Sequence, residues 1–504
     1  MPAVSRGFSF SVVCLFALAG LFPASSQGEV LKVGAAVVDV TPEKFPVLVN
    51  GSFTPRSVSK VKTQVQARAI VIHKDQRQIA IMVVDSCMLP QELLDDVKQR
   101  VAQQTSLKPD QICISATHTH TAPAAARALG TDLDFDYVPF LREKLIQVLI
   151  EAHEKVQPAE VGWSSVMVPE CTALRRWVRR PDRMGVDPFG NLTVRANMHA
   201  AKNLDNVTGE SGPEDPELSM IAFRSTDGMP LAVLANFSMH YFGDADISAD
   251  YFGLFCNGFQ QQIAHQYPDS KFVAVMSHGC SGDIWRRDYR TWEGKDDSTI
   301  EGFADRLQQK ALKLLSSIEY QTDPELAMEE IRLPMKYRVP DAQNLQWAER
   351  VLKDMETENP TQKFEVYARE QIYLNRLQET EVVVQAIRLG NIGIVTTPCE
   401  TYALTGLKFK KQSPFEFQMV IELANGALGY IPPPEQHVLG GYNTWPARSA
   451  GLEVNAEPKI VASGLSLLER LARRDRRATG EERGLAAKAA CVLPNGRHGR
   501  ADRR

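Results

Sequence analysis

The chain has 504 residues, of which 44% are hydrophobic and 23% charged, and a formal net charge of −4. These are ordinary globular values, and they supply no basic surface that would call for a nucleic-acid partner. Eight scattered cysteines, with no Cys-x-x-Cys pair, argue against a zinc–thiolate centre.

Arg6, the apolar run Phe8–Phe22 and the small residues Ala24-Ser25-Ser26 predict a signal peptide over residues 1–26. The mature protein is then secreted or periplasmic. No other run is long enough to span a membrane, so any membrane contact would be peripheral. Seven cysteines remain after cleavage. Export permits one or two disulfides, and the odd count leaves at least one thiol unpaired.

Short apolar runs then alternate with helical patterns. Residues 67–73 and 78–85 read as neighbouring strands, residues 91–104 as a helix, and Gln111–Thr117 as a strand running into His118. Residues 137–155 form a strong helix, because Val138, Leu141, Leu145, Val148 and Leu149 share one face. The region 171–215 is polar and rich in Arg, Gly and Pro, as expected of a long loop that carries substrate contacts. A strand over 231–239 runs into His240, followed by a helix at 252–266, a strand at 272–276 and a helix at 300–318. Residues 338–380 read as two polar helices on the surface. A strand from Ile392 ends on Glu400, and another from Gln418 leads through a glycine turn to Tyr430. A helix over 458–474 precedes a basic tail, residues 475–504, expected to be disordered. The alternation predicts an α/β fold: a layered mixed β-sheet core flanked by helices, with one catalytic domain over residues 30–468.

Four of these runs end on groups that bind zinc by chemistry: the imidazoles of His118 and His240, the Glu400 carboxylate and the Tyr430 phenol. Together they predict one metal site assembled from distant parts of the chain. Along an extended strand, residues 118 and 120 fall on the same side. The glycine-rich loop His278-Gly-Cys-Ser-Gly-Asp283 follows a strand and is expected to line the active site. Asp85 ends another strand and is expected to hydrogen-bond a ligand histidine. Asp39 reads as a turn former and Asp250 as a helix cap. His73, His153, His199, His265 and His498 are given no role.

Taken in order, His118-Thr-His-Thr-Ala-Pro123, Asn236-Phe-Ser-Met-His240, Pro398-Cys-Glu400 and Asn425-Gly-Ala-Leu-Gly-Tyr430 resemble the zinc-site motifs of the neutral/alkaline, non-lysosomal ceramidases. So does the opening Val33-Gly-Ala-Ala-Val-Val-Asp-Val-Thr-Pro42, and the resemblance runs from about Val33 to about Leu468. It implies Zn2+ on His118, His240, Glu400 and Tyr430. It also implies His120 beside the scissile carbonyl and Tyr442 pointing at the carbonyl oxygen. The family's substrate-binding arginine falls at Arg175 or Arg176, with Arg176 the chosen candidate. The implied reaction is hydrolysis of an N-acyl amide by zinc-activated water. Its substrate is a small molecule or lipid, ceramide by default, with no protein partner.

This chain departs from the family at its Gly-Asp-x-Ser-Pro-Asn signature, which here is Gly282-Asp283-Ile284-Trp285-Arg286-Arg287. Trp285 stands where the family's serine would be. Ser281, Asp283 and Trp285 are therefore expected to contact substrate, with the indole restricting the pocket. The immunoglobulin-like C-terminal domain of long ceramidases is expected to be absent. Two alternatives stay open: a zinc hydrolase of the same fold acting on another amide or ester, and a metal- or ligand-binding protein that has lost catalysis.

Overall fold

The computed structural model describes residues 30–291 and 298–478, with side chains to residue 473. The expected leader, residues 479–504 of the basic tail and Cys491 lie outside these residues, whereas residues 475–478, expected to be disordered, continue the helix Ala456–Ala478. Nine strands form one mixed sheet. Its order runs Val273–His278, Pro230–Phe237, Glu217–Ser225, Gln157–Met167, Lys32–Asp39, Gln66–Lys74, Arg77–Val84 and Ile112–Ala116, with Tyr320–Gln321 paired to Gln157–Met167. The edge pairs 230–237/273–278 and 77–84/112–116 are parallel, and the neighbours between them are antiparallel. A second sheet has four strands, in the order Leu326–Lys336, Glu379–Leu389, Ile392–Thr396 and Phe417–Ile421.

Residue alternation explains why the two sheets stack. In Gln66–Lys74, Ala67, Ala69 and Val71 face the helices Gln91–Ala102 and Tyr137–Glu154. Ile70 and Ile72 face the other way and meet Ile387, Ile394, Met419 and Ile421 of the second sheet. Both faces are covered, so these strands are apolar at nearly every position. The helices Asp250–Gln266 and Ile300–Leu315 cover the other half of the large sheet through Phe252, Phe255, Phe259, Phe303 and Leu307. The helices Ala403–Gln412 and Ala456–Ala478 cover the outer face of the small one. The result is a four-layer sandwich, helices–sheet–sheet–helices. At about 1.5–3 kcal/mol for each fully buried large apolar side chain, the seam between the sheets is a principal source of cohesion.

Four long strands escape periodicity, at 157–167, 217–225, 326–336 and 379–389. Leu326–Lys336 carries Glu329, Glu330, Arg332 and Lys336 among its apolar residues and lies at a sheet edge, which hides the two-residue period. The 171–215 region is also more regular than a loop. It holds a three-stranded sheet of Arg176–Arg179, Ala196–Met198 and Val207–Glu210. The two polar helices are Ala342–Lys353, capped by Asp341, and Lys363–Leu377. They are more than a surface excursion: Tyr367 is fully buried against Phe53 and Trp445, and the Arg369 guanidinium donates to Leu129 O. Among the described residues, Cys87, Cys113, Cys171, Cys256, Cys280 and Cys399 are buried free thiols, and no helix is long and apolar enough to cross a membrane.

Candidate metal centre and active site

The carboxyl ends of strands from both sheets converge on one cavity. His118 lies two residues past Ile112–Ala116 and His240 three past Pro230–Phe237. Glu400 and Tyr430 open two short parallel strands beyond the small sheet. Strand alternation is not what aligns His118 and His120. His118 has left the strand and adopts a left-handed backbone (φ 67°), with its amide on Ser86 O. This turn brings the two rings edge to face, with centroids 4.6 Å apart.

His118 Nε2 lies 3.1 Å from His240 Nε2 and 3.3 Å from Glu400 Oε2. His240 Nε2 lies 3.7 Å from the same carboxylate oxygen, and all three atoms fall within 4.8 Å of one another. The buried Glu400 Oε2 has no hydrogen-bond partner, a costly state unless something else satisfies it. His118 Nδ1 sits 2.9 Å from Cys87 O, an acceptor only, so Nδ1 carries a proton and Nε2 is the nitrogen left to face an ion. Tyr430 Oη is 3.4 Å from His240 Nε2 and 3.4 Å from Tyr442 Oη. A second grouping, Cys87–His118–His120, shares His118, but that imidazole's Nδ1 is already engaged.

His120 Nε2 lies 3.1 Å from His118 Nε2, and its Nδ1 is 3.1 Å from Gly51 O. Gly51 is needed at this approach: its φ is 97°, and an added Cβ would fall 2.3 Å from His120 Nδ1. The Tyr241 ring stacks on the other face of His120, 3.6 Å between centroids. Burial, then the His118 and Arg175 charges, holds His120 well below the usual histidine range. Burial, Arg175 and His118 do the same for His240. For His118 burial is the strongest single effect and acts downward, but the Glu400 carboxylate and Cys87 together outweigh it and hold the ion-free ring well above its usual value. Burial and the Glu400 charge keep Tyr430 a neutral phenol.

The cavity measures about 210 Å³ and is walled by Phe53, Met88 and Leu129 above this floor. A hollow of about 320 Å³ beside Pro46 and Tyr137 is larger, but no imidazole lines it. Of the two candidate arginines, Arg175 reaches the site. Its Nη2 donates to Tyr430 Oη at 3.1 Å and lies 3.1 Å from His240 Nε2. Arg176 is spent on structure, donating to Gln436, Ala196 O, Asn443 and Gly440 O. Ser281, Asp283 and Trp285 also stand outside the cavity wall. Trp285 packs behind, edge to face with Tyr241 at 4.9 Å and with the Arg175 guanidinium 5.8 Å from its ring. Asp283 Oδ1 accepts from Ala403 N and so caps the helix Ala403–Gln412. Asp85 does not touch a ligand histidine. It is buried in an ion pair with Arg68 at 2.8 Å, and the expected support of His118 comes from the carbonyls of Ser86 and Cys87 instead. Asp39 accepts from Thr41 N, as a turn former does. Asp250 opens its helix and ties Phe242 N and Gly243 N to it.

Sequence reasoning passed over Tyr241 and Glu422, and it expected the loop His278–Asp283 to line the cavity, where the structure instead places that loop behind the wall. Tyr241 follows His240 directly, which is its only signal. His278 and Glu422 are buried polar residues at strand ends and surround Ser281. Burial pushes the Glu422 carboxyl up to about 8, against the pull of the Ser281 hydroxyl. A dication at the cluster would pull in the same direction as that hydroxyl.

Burial likewise pushes Asp283 up to about 6, against its hydrogen bond from Ala403 N. A carboxyl raised on folding holds an extra proton in the native state. Stability from this group therefore falls as pH rises from about 4 to about 6, by about 3 kcal/mol in all. Asp283→Asn cannot ionise, so its melting temperature should gain on the wild type across that window. A constant difference from pH 4 to 7 would show that Asp283 ionises freely.

No family model matches the chain, and no curated protein matches it in sequence. Solved structures share its fold, two ceramidases among them. The neutral ceramidase of Pseudomonas aeruginosa aligns with a TM-score of 0.65 at 15% identity, covering 88% of this chain and 75% of that one. A ceramidase complexed with C2 aligns at 0.66 and 15%, covering 88% and 76%. The architecture is that of the neutral ceramidases.

Proposed function

We propose that this chain is an exported, zinc-dependent amide hydrolase that cleaves N-acyl compounds, with ceramide-like lipids as the default substrate. One observation carries the reading: two imidazole nitrogens and a buried, otherwise unsatisfied carboxylate oxygen converge on the floor of one cavity. The ceramidase fold supports it. His118, His240, Glu400 and Tyr430 would hold the ion, a donor set suited to zinc, which supplies carbonyl polarisation and a lowered pKa for water.

The chain's own residues do the rest. Neutral His120 accepts a proton at Nε2 from the attacking water and returns it to the departing nitrogen. Water adds to the carbonyl carbon, the C–N bond breaks, and acid and amine leave. The Tyr442 hydroxyl donates to the carbonyl oxygen as negative charge builds there, and the Arg175 cation stands on the same side. Stacking on Tyr241 and the contact with Gly51 O hold the His120 ring in place.

A rival reading, a ligand-binding protein without turnover, draws on Arg175. Its guanidinium contacts His240 Nε2 and Tyr430 Oη, the atoms an ion would use. Metal analysis of the purified protein, with turnover of short and long N-acyl substrates with and without chelator, separates the readings. About one zinc per chain and chelator-sensitive hydrolysis are expected. Zinc without turnover of any N-acyl substrate would favour the binder.

Tyr442→Phe should keep its metal and slow hydrolysis by roughly 10²–10³-fold, the usual loss for an oxyanion donor. An unchanged turnover number would remove Tyr442 from the chemistry.

A further inference from the structure

A histidine that offers Nε2 to a metal must carry its proton on Nδ1, and something must hold that proton in place. For His118 the holder is a backbone carbonyl. For His240 it is the Ser281 hydroxyl, 3.3 Å from Nδ1. A hydroxyl rotates, and it offers one proton and two lone pairs. If its own proton is drawn elsewhere it can only accept from His240, and if not it can turn and donate to that ring instead.

Glu422 draws that proton. This carboxylate is fully buried and is no metal-ligand candidate, yet it touches the supports of both halves of the cluster. Its Oε1 accepts from Ser281 Oγ at 2.8 Å and from Ser281 N at 3.2 Å. Its Oε2 accepts from Thr401 N at 2.7 Å and Thr401 Oγ1 at 3.1 Å, beside Glu400. With the hydroxyl donating its proton to Glu422, one lone pair accepts from His240 Nδ1–H and the other from His278 Nε2–H, 2.6 Å away. Every hydrogen-bonding capacity of the hydroxyl is then used. Gly282 lets this loop pass the other carrier closely, since an added Cβ there would lie 2.6 Å from Glu400 O.

We infer that Glu422 is a positioning residue for the metal centre: through Ser281 it sets the tautomer and direction of the His240 ring, and through the Thr401 amide it sets the backbone that carries Glu400. The inference rests on the metallohydrolase reading and adds to it a determinant of metal affinity that touches neither ion nor substrate.

The test measures zinc affinity by chelator competition, and the visible absorption of the Co2+-substituted protein, on the full chain. The variants are Glu422→Gln, Ser281→Ala and the double variant. Glu457→Gln is the control, because Glu457 is an equally buried carboxylate that binds Thr405 and Lys408 away from the cavity. Each single variant should weaken zinc binding by about 10–100-fold and shift the Co2+ spectrum. The double variant should lose no more than the worse single, since the two residues act as one unit. Glu457→Gln should lower the melting temperature and leave both metal readouts unchanged. Should Glu422→Gln fail to fold, Ser281→Ala carries the test, because it leaves the Glu422–Thr401 bonds intact. Folded variants with wild-type zinc affinity and spectrum would overturn the inference and leave the metal reading standing. A wild-type protein that binds neither ion would overturn both.

Discussion

His240→Ala should abolish chelator-sensitive hydrolysis and weaken zinc binding by well over the roughly 10–100-fold that outer residues cost. The side chain is central to the cluster: its Nε2 faces His118, Glu400, Tyr430 and Arg175, and its Nδ1 faces Ser281. Truncation removes a candidate ligand and leaves a space that no neighbouring imidazole can enter without breaking its own contacts, since His118 is tied to Cys87 O and His120 to Gly51 O. Metal analysis after dialysis, with turnover on an N-acyl substrate, checks this. Full zinc occupancy together with full activity would dissolve the site assignment.

Arg68→Ala should cost about 3–5 kcal/mol of stability, the usual loss when one partner of a buried ion pair is removed. Arg68 and Asp85 are both essentially inaccessible, and Arg68 also donates to Gln66 Oε1. Without the guanidinium, Asp85 has lost its counter-charge in a site where burial already raises its pKa. The loss should therefore shrink at low pH, where the carboxyl is neutral, and grow towards pH 8. The paired variant Arg68→Met/Asp85→Leu should recover most of it, because no charge is left stranded. Denaturant unfolding at pH 5 and pH 8 measures both. A single variant that loses under about 1 kcal/mol at pH 8 would mean that water reaches Asp85.

The parts of the molecule legible in sequence are those where one residue type dominates a face. The helix Tyr137–Glu154 and the strands ending near His118 and His240 have apolar spacing that no exposed segment would keep. Glu379–Leu389 was missed although it is mostly buried, because Glu379, Thr380 and Glu381 open it and a helix-like stretch precedes it. At the site, the zinc-type side chains were visible because each follows an apolar run. What those residues touch was not. Arg175 and Arg176 are adjacent, and only the pairing of Ala173–Leu174 with Ile284–Trp285 and of Arg176–Arg179 with Ala196–Met198 decides which one faces the cavity. Asp85 looked like a partner for histidine because it ends a strand, but its counter-ion lies on the neighbouring strand. Trp285 occupies the family serine's place in the linear motif, yet its ring packs behind Arg175. Chain position does not encode that direction.

The converging groups belong to two sheets: His118 and His240 follow strands of the large one, Glu400 and Tyr430 follow strands of the small one. Apolar contact between the sheets is non-directional and tolerates a small slide. The cluster does not, because a slip of an ångström parts its nitrogens from its oxygens. Whatever binds there bridges both layers and is linked to their alignment. The cavity's occupant would thus act as a locating pin for the sandwich. On mild heating or at low denaturant, binding capacity should fade while far-ultraviolet dichroism is still native, as the two layers begin to shear before either sheet melts.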